Sequence, residues 1–311
     1  MNHLAPIVLF VYNRPNHTKK TVEGLLTNKE ASESILYIFS DGPKVGATPE
    51  DLSLISEVRE FIHTISGFKK IIIEEQETNK SLAVSTIEGM GKVFSQHDKA
   101  IMLEDDDVPT PFFLQYMNDC LTRFFDDEKI WCVSGYIDTE RVPPEGQDDL
   151  FLVTRPSSWG FGTWKRCWDK VIWDKAVLKG LFRHPDVICG YNKRCGMDSS
   201  DGMIKCIKGI TSSWSIRYNF AGYLTKSYTI LPSKSLIYNI GLDGTGTHSP
   251  VLKQDLKVFD RPVKIPAHIR FDRKRNKELL MTFVSKKIIV RLLYNMGLLS
   301  VAYLLSGKYK L

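Results

Sequence analysis

The chain has 311 residues, 43% hydrophobic and 25% charged, a composition that builds a sizeable core and excludes a disordered chain. The net charge of +6 is too small and too dispersed to argue for nucleic acid, but it suits anionic small substrates or an anionic membrane surface. Six cysteines show no CxxC pair and no Cys/His zinc spacing, so they read as free thiols of a reducing cytoplasm.

The opening MNHLAPIVLFVYNRP has no basic leader and no small-residue cleavage site, and reads as a first buried strand rather than a signal peptide. Its apolar run, Pro6 to Tyr12, is broken by Asn13-Arg14-Pro15-Asn16 and followed by a helix over about 18–27. A second short apolar run, Ile35 to Ser40, ends at Asp41-Gly42-Pro43. A helix is expected over about 49–66, a third strand over 70–75, a helix over 81–94 and a fourth strand over 100–103. This alternation predicts an α/β fold with a mostly parallel central sheet flanked by helices. Ligands of such sheets bind at the carboxyl ends of the strands, where Asn13-Arg14, Asp41-Gly42 and Glu104 to Asp107 all fall. Further on, 112–125 reads as an aromatic-rich helix, 131–136 as a strand, and 140–149 as a Pro/Gly/Asp-rich loop. Trp159, Trp164, Trp168 and Trp173 cluster between 157 and 174, and a glycine-rich loop runs from Gly241 to His248. Residues 261–278 are basic and polar like a linker, and 283–305 are apolar with Lys286, Lys287 and Arg291 at the start. No run of eighteen uninterrupted apolar residues occurs, so no spanning helix is expected.

Four consecutive carboxylates, Glu104-Asp105-Asp106-Asp107, repel one another at the end of a buried strand and call for a compensating cation. A hard divalent ion, Mn²⁺ or Mg²⁺, suits clustered oxygens and bridges to substrate phosphates, whereas the same run on a loop would simply be solvated. Asp41 offers a carboxylate to a ribose or a base edge, or else forms an ordinary Asp-Gly turn. Arg14 suits a phosphate or a base carbonyl, or is a surface arginine. Asn79-Lys80 either reaches the nucleotide or caps the following helix, and capping is the cheaper explanation.

Together Tyr12-Asn13-Arg14-Pro15, Ser40-Asp41-Gly42, the Asn79 segment and Leu103-Glu104-Asp105-Asp106 resemble the GT-A (nucleotide-diphospho-sugar transferase) fold of family 2-like glycosyltransferases, with similarity to N-acetylglucosaminyltransferase I-type enzymes. The resemblance is good over 5–135 and looser to about 250. It implies that Arg14, Asp41, Asn79, Glu104 and Asp105 hold the nucleotide sugar and that Asp106 ligates the metal, with His248 joining the metal or binding the diphosphate once the glycine-rich loop closes. His248 is equally readable as a surface residue. The stretch Trp159-Gly160-Phe161-Gly162-Thr163-Trp164 resembles the family's acceptor loop, and indole faces stack on sugar rings. Trp159, Gly160 and Trp214 are therefore assigned to the acceptor, and Trp168 and Trp173 to the core. The carboxylate that relatives carry just before a Trp is missing here, since Trp214 follows Thr211-Ser212-Ser213. Asp201, then Asp198, and further off Asp243, are the substitutes for the general base. Arg217 and Lys226 are candidates to face the leaving diphosphate.

The expected organisation is a catalytic domain over 1–260, with a nucleotide-binding half (1–108) and an acceptor half (109–260), then a basic/apolar helical tail over 261–311. That tail either docks on the domain or lies on an anionic membrane. The expected activity is an inverting, metal-assisted transfer of a hexosyl or N-acetylhexosaminyl group from a nucleotide-diphosphate sugar, UDP-sugar favoured, to a glycan or lipid-linked acceptor. The expected place is the cytoplasm, peripheral on the inner membrane face. The rivals are a nucleotidyltransferase on the same type of sheet, which usually carries a Gly-rich basic loop after its first strand, and a non-catalytic sugar-binding protein.

Overall fold

The first strand, β1 (Ile7–Val11), is a run of five bulky apolar residues, every one buried. Such a run suits a strand covered on both faces. The structure, a computed structural model, describes residues 4–144, 146, 148–244, 255–285, 287–305, 307 and 309. Pro15 opens α1 (Pro15–Leu26), three residues earlier than expected, because its fixed φ and missing N–H suit the first helical turn. Next come β2 (Ile35–Ser40), α2 (Pro49–Thr64), β3 (Lys70–Glu75), α3 (Leu82–Phe94) and β4 (Lys99–Glu104). The helix α2 begins at a Thr48–Asp51 capping box. These four strands pair in parallel in the order β3-β2-β1-β4.

The second half is less regular. It comprises β5 (Asp107–Pro109), α4 (Phe113–Arg123), β6 (Ile130–Ser134), β7 (Leu150–Val153), β8 (Phe161–Trp164), α5 (Lys165–Trp168), α6 (Lys175–Leu181), α7 (Pro185–Cys195), α8 (Ser199–Ile207), α9 (Trp214–Leu224), β9 (Tyr228–Pro232) and β10 (Ile237–Asn239). The complete sheet has eight strands in the order β3-β2-β1-β4-β8-β6-β9-β7. The strand β8 runs antiparallel to both β4 and β6, and β7 antiparallel to β9. Four of the seven pairings are therefore parallel, in keeping with the α/β class and mostly parallel sheet expected. A separate two-stranded ribbon joins β5 to β10.

The buried side chains of β1, β2, β4, β6 and β8 form one core with α1, α3 and α4. Trp164 lies fully inside it, its indole N–H donating to the Leu121 carbonyl at 2.9 Å. Trp168 is buried and Trp173 packs on it, as expected of core tryptophans. A smaller cluster around Leu178, Phe182, Tyr191 and Phe220 ties α6 to α9. All six cysteines are free thiols, and all but Cys189 are buried.

The stretch read as a linker is held against the far edge of the sheet. Arg261 pairs with Asp149 at 2.7 Å, and the Leu152 N–H donates to the Arg270 carbonyl at 2.9 Å. α10 (Arg273–Met281), capped by Asp272, lays Arg275 over the Phe151 ring at 3.9 Å. α11 (Ile288–Asn295) and α12 (Leu299–Leu305) follow, with a bend of 112° between them.

Candidate functional site

Because β1, β2 and β4 are adjacent and parallel, their carboxyl ends form one edge, and three polar segments meet there. Arg14, at the start of α1, donates through Nε to Asp105 Oδ2 at 3.2 Å and through a terminal nitrogen to Asp105 Oδ1. It also pairs with Asp106 at 3.0 Å. The compensating cation that the acidic run requires is thus supplied at least in part by the chain itself. Arg14, expected to meet a phosphate or a base carbonyl, is engaged by these two aspartates in this structure.

The four carboxylates are not equivalent. Asp107 is fully buried; its Oδ2 accepts from the Glu104 and Gly160 N–H groups, both at 3.2 Å, and its Oδ1 from Asn239 Nδ2 at 3.2 Å. It therefore ties β4, β10 and the tryptophan loop together. Burial, and after it the Asp106 charge, push its carboxyl up to about 8. Burial likewise raises Asp105, to about 6, against the pull of Arg14. Glu104 is driven well above the usual carboxylate range by burial and then by Asp107, Asp106 and Asp105. Asp106 is 7% exposed and accepts from Asn239 Nδ2 at 3.3 Å.

A loop following β10 closes over the run. The Ile240 N–H donates to the Asp106 carbonyl at 2.9 Å, and Gly241 lies so close that an added Cβ would overlap Asp106 Oδ2 and fall 2.8 Å from its Cγ. Asp243 reaches His17 of α1 at 3.1 Å. His248 lies outside the described residues. Among the described residues no three His, Cys, Asp or Glu side chains converge as a ready-made metal cage. Mg²⁺ and Mn²⁺ in phosphate chemistry are commonly held by one or two carboxylates with substrate oxygens completing the shell; here Asp106 Oδ2 is paired with Arg14 and Oδ1 with Asn239.

Asp41 sits one strand away. Its N–H donates to the Val11 carbonyl at 3.0 Å, and its Oδ1 accepts from the Gly42 N–H at 2.9 Å and the Lys80 N–H at 2.8 Å. Asn79 Nδ2 donates to the Gly42 carbonyl at 3.0 Å, while its Oδ1 accepts from the Ser81 N–H at 3.1 Å. Asn79 thus clasps the turn and serves the helix start together. Ser81 has φ 69°, a left-handed conformation that costs a non-glycine residue on the order of 1 kcal/mol. A pocket of about 120 Å³ beside Asp41 is lined by Ser40 and Ser85, whose buried hydroxyls have no partner in the protein.

On the other flank of the acidic run lies an aromatic cavity of about 340 Å³, walled by Tyr136, Asp138, Trp159, Trp214, Asn219 and Phe283 among others. Trp159 is half-buried and meets Tyr136 edge to face at 4.5 Å. Gly160, at φ 58°, brings this loop against Ile237, whose Cδ1 would lie 2.7 Å from an added Cβ. Of the stretch expected to form an acceptor loop, Phe161–Trp164 is the buried strand β8, Gly160 is buried before it, and Trp159 lines the cavity. Trp214 is buried and packs on Phe161. Asn219 is 7% exposed, and its Oδ1 has no partner.

The substitute bases lie elsewhere. Asp198 forms a two-pronged pair with Arg155, at 2.6 and 2.8 Å, and Asp201 pairs with Lys205 at 2.8 Å; neither lines the cavity, although Arg155 does. The slot before Trp214 is a helix cap, with Ser213 Oγ accepting from the Ile216 N–H at 3.3 Å. Arg217 is buried, donating to the Ser213 and Trp173 carbonyls at 3.1 and 3.2 Å, so it does not face a diphosphate. Lys226 precedes β9, at the amino end of the sheet and away from the acidic run. The sequence reading missed Asn239, Gly241, Asp138, Arg155 and Asn219. Of these only Asn239-Ile240-Gly241 carries a local signal, a strand ending in turn residues.

No family model matches the chain. Similar solved structures include S. aureus TarS, 11% identical with a TM-score of 0.39 over 75% of this chain and 36% of that one. The chain thus spans about a third of the length of TarS. A mannosyltransferase from Pyrobaculum calidifontis, solved with GDP-Man and Mn²⁺, is 9% identical, with a TM-score of 0.37 over 71% of this chain and 72% of that one. Apo UDP-glucose pyrophosphorylase is 9% identical, with a TM-score of 0.39 over 76% and 94%. Likenesses of this size assign no residue a role.

Proposed function

We propose that the protein is an inverting, metal-assisted glycosyltransferase that moves a sugar from a nucleotide-diphosphate sugar, UDP-sugar favoured, to a hydroxyl of a glycan or lipid-linked acceptor. The observation that carries this reading is the buried acidic run, set at the carboxyl ends of parallel strands between the Asp41 turn and an aromatic cavity. A nucleoside fits the Asp41 side, where Asp41 Oδ2 and the Ser40 and Ser85 hydroxyls remain available to a ribose or a base edge. Asp105 is positioned by Arg14 to meet the ribose or the donor sugar. A divalent ion held by Asp106 would offset the charge of the departing diphosphate.

The acceptor enters the aromatic cavity, its ring on Trp159 and a hydroxyl donating to Asn219 Oδ1. Asp138, four residues beyond β6 and paired with Arg141 at 3.3 Å, is the cavity's carboxylate among the described residues, so we assign it the acceptor proton in place of Asp201 and Asp198. The attacking oxygen then meets the anomeric carbon from the face opposite the diphosphate.

Thermal-shift measurements with UDP-, GDP- and CDP-sugars in Mn²⁺ test the donor: one nucleotide class should stabilise the protein and the others should not. Release of nucleoside diphosphate should depend on Mn²⁺ and vanish in Asp106→Ala. No turnover by the wild type, or unchanged turnover in that variant, defeats the reading. Asp138→Asn should cut transfer while Asp201→Asn leaves it intact; the reverse order returns the base to Asp201.

A further inference from the structure

Among the described residues, nothing covers the apolar outer faces of α11 and α12. Ile288, Ile289, Leu292 and Met296 share one side of α11, and Val301 and Leu305 continue the patch on α12, all between 45 and 84% exposed. The inner side is occupied: Val290, Leu293 and Tyr294 pack on Met197, Val284 and Leu299, while Tyr303 and Leu304 reach the α6–α9 cluster. A helix apolar on both sides is out of place in water.

By sequence, residues 279–311 contain five Lys or Arg and no Asp or Glu, and two of the five, Lys287 and Arg291, lie among the described residues. Lys287 and Arg291 are exposed beside the apolar face. Among the described residues no single helix is long and apolar enough to cross a bilayer, and the bent pair is two short helices. An apolar face bordered by cations, on helices too short to span, fits the interface of an anionic leaflet: side chains enter the acyl boundary while lysine and arginine meet headgroup phosphates.

We infer that α11 and α12 form a docking face for an anionic lipid bilayer. Leu279, Thr282 and Phe283, which line the aromatic cavity, precede α11 in the chain by a few residues, and Phe283 lies under Arg155 at 3.5 Å. Where the proposed transfer reaction holds, this placement favours an acceptor presented from the bilayer, a polar headgroup carried on a lipid. The docking face itself does not rest on that reaction.

Co-sedimentation of the full chain with vesicles tests it, using phosphatidylcholine alone and phosphatidylcholine with about 30 mol% phosphatidylglycerol. Binding should require the anionic lipid and weaken with salt. The double variant Ile288→Glu/Leu292→Glu should bind about tenfold or more weakly with an unchanged Tm. A milder pair, Lys287→Gln/Arg291→Gln, should lose the anionic preference and keep the fold. Absence of binding to either vesicle overturns the inference, as does equal binding by the glutamate variant. So does a concentration-dependent dimer that the glutamate variant dissolves, since a second copy would then cover the face. Vesicle binding by a protein that turns over no nucleotide sugar leaves this inference standing and removes the reaction.

Discussion

Replacing Asp106 by asparagine should make the metal-free protein more stable and the enzyme nearly inert. The side chain keeps its shape and its contact with Asn239 but loses its charge. A unit-charge pair at about 4 Å is worth about 4 kcal/mol at an effective dielectric near 20. Asp106 has one such attraction, to Arg14 at 3.0 Å, against three flanking carboxylates. Burial and the mutual repulsion of the run hold the Glu104 and Asp107 carboxyls above the usual carboxylate range, so repulsion outweighs the single attraction, by an amount on the order of 1–2 kcal/mol. Relief of that cost corresponds to a rise in Tm of about 2–4 °C for a chain of this size. The gain should shrink at pH 5, where the neighbours are protonated already. Mn²⁺-dependent release of nucleoside diphosphate should fall by roughly 100- to 1,000-fold, the usual loss when one electrostatic stabiliser of a leaving group is removed. The measurements are thermal unfolding in chelator at both pH values and turnover with Mn²⁺. A variant that is less stable at pH 8, or that keeps its metal-dependent turnover, refutes the electrostatic account of the run.

Three further outcomes are expected. The carboxyls of Asp107 and Asp105 titrate higher in the folded protein, at about 8 and about 6, than the value near 4 of an unfolded chain. Their contribution is therefore fully present below about pH 4 and lost as pH rises to about 8, and thermal unfolding should show Mn²⁺ raising Tm more at pH 8 than at pH 5.5. Gly241→Ala should displace the loop from Asp106, costing about 1–3 kcal/mol in stability and abolishing the thermal shift produced by nucleotide and Mn²⁺ together; an undiminished shift would show the loop to be irrelevant. Asn219→Leu should leave stability unchanged or raise it by about 1 kcal/mol, because it removes a buried unpartnered oxygen. The same variant should raise KM for the acceptor while donor hydrolysis stays intact, and an unaltered KM would place the acceptor elsewhere.

The first half of the fold was legible because β1, β2 and β4 are continuous apolar runs stopped by Pro, Gly or acidic residues, and burial on both faces leaves that trace in any sequence. The acidic run was legible for the same reason: four carboxylates after such a strand contradict their surroundings. The second half was not. Phe161–Trp164 has two aromatic residues around Gly162 and Thr163, and nothing local says that it enters the sheet between β4 and β6. Its place is decided by α4 packing over it and by hydrogen bonds to strands distant in sequence. Arg14 was recognised as a ligand-type residue, but its partners lie 91 and 92 positions away, beyond the reach of periodicity. Asn219 looks like any polar residue of a helix, and only burial without a partner marks it out.

The contact between Arg14 and the two aspartates also bears on how the protein matures. A site whose charge is balanced only by a bound ion leaves its chain unfolded until that ion arrives. Here a tethered guanidinium neutralises part of the run in the folded chain, so that part of the charge does not wait on a bound ion. On the proposed reading, the ion then travels as a partner of the nucleotide, arriving with the donor and leaving with the spent diphosphate. Chelation would accordingly act as a reversible off-switch rather than as a denaturant.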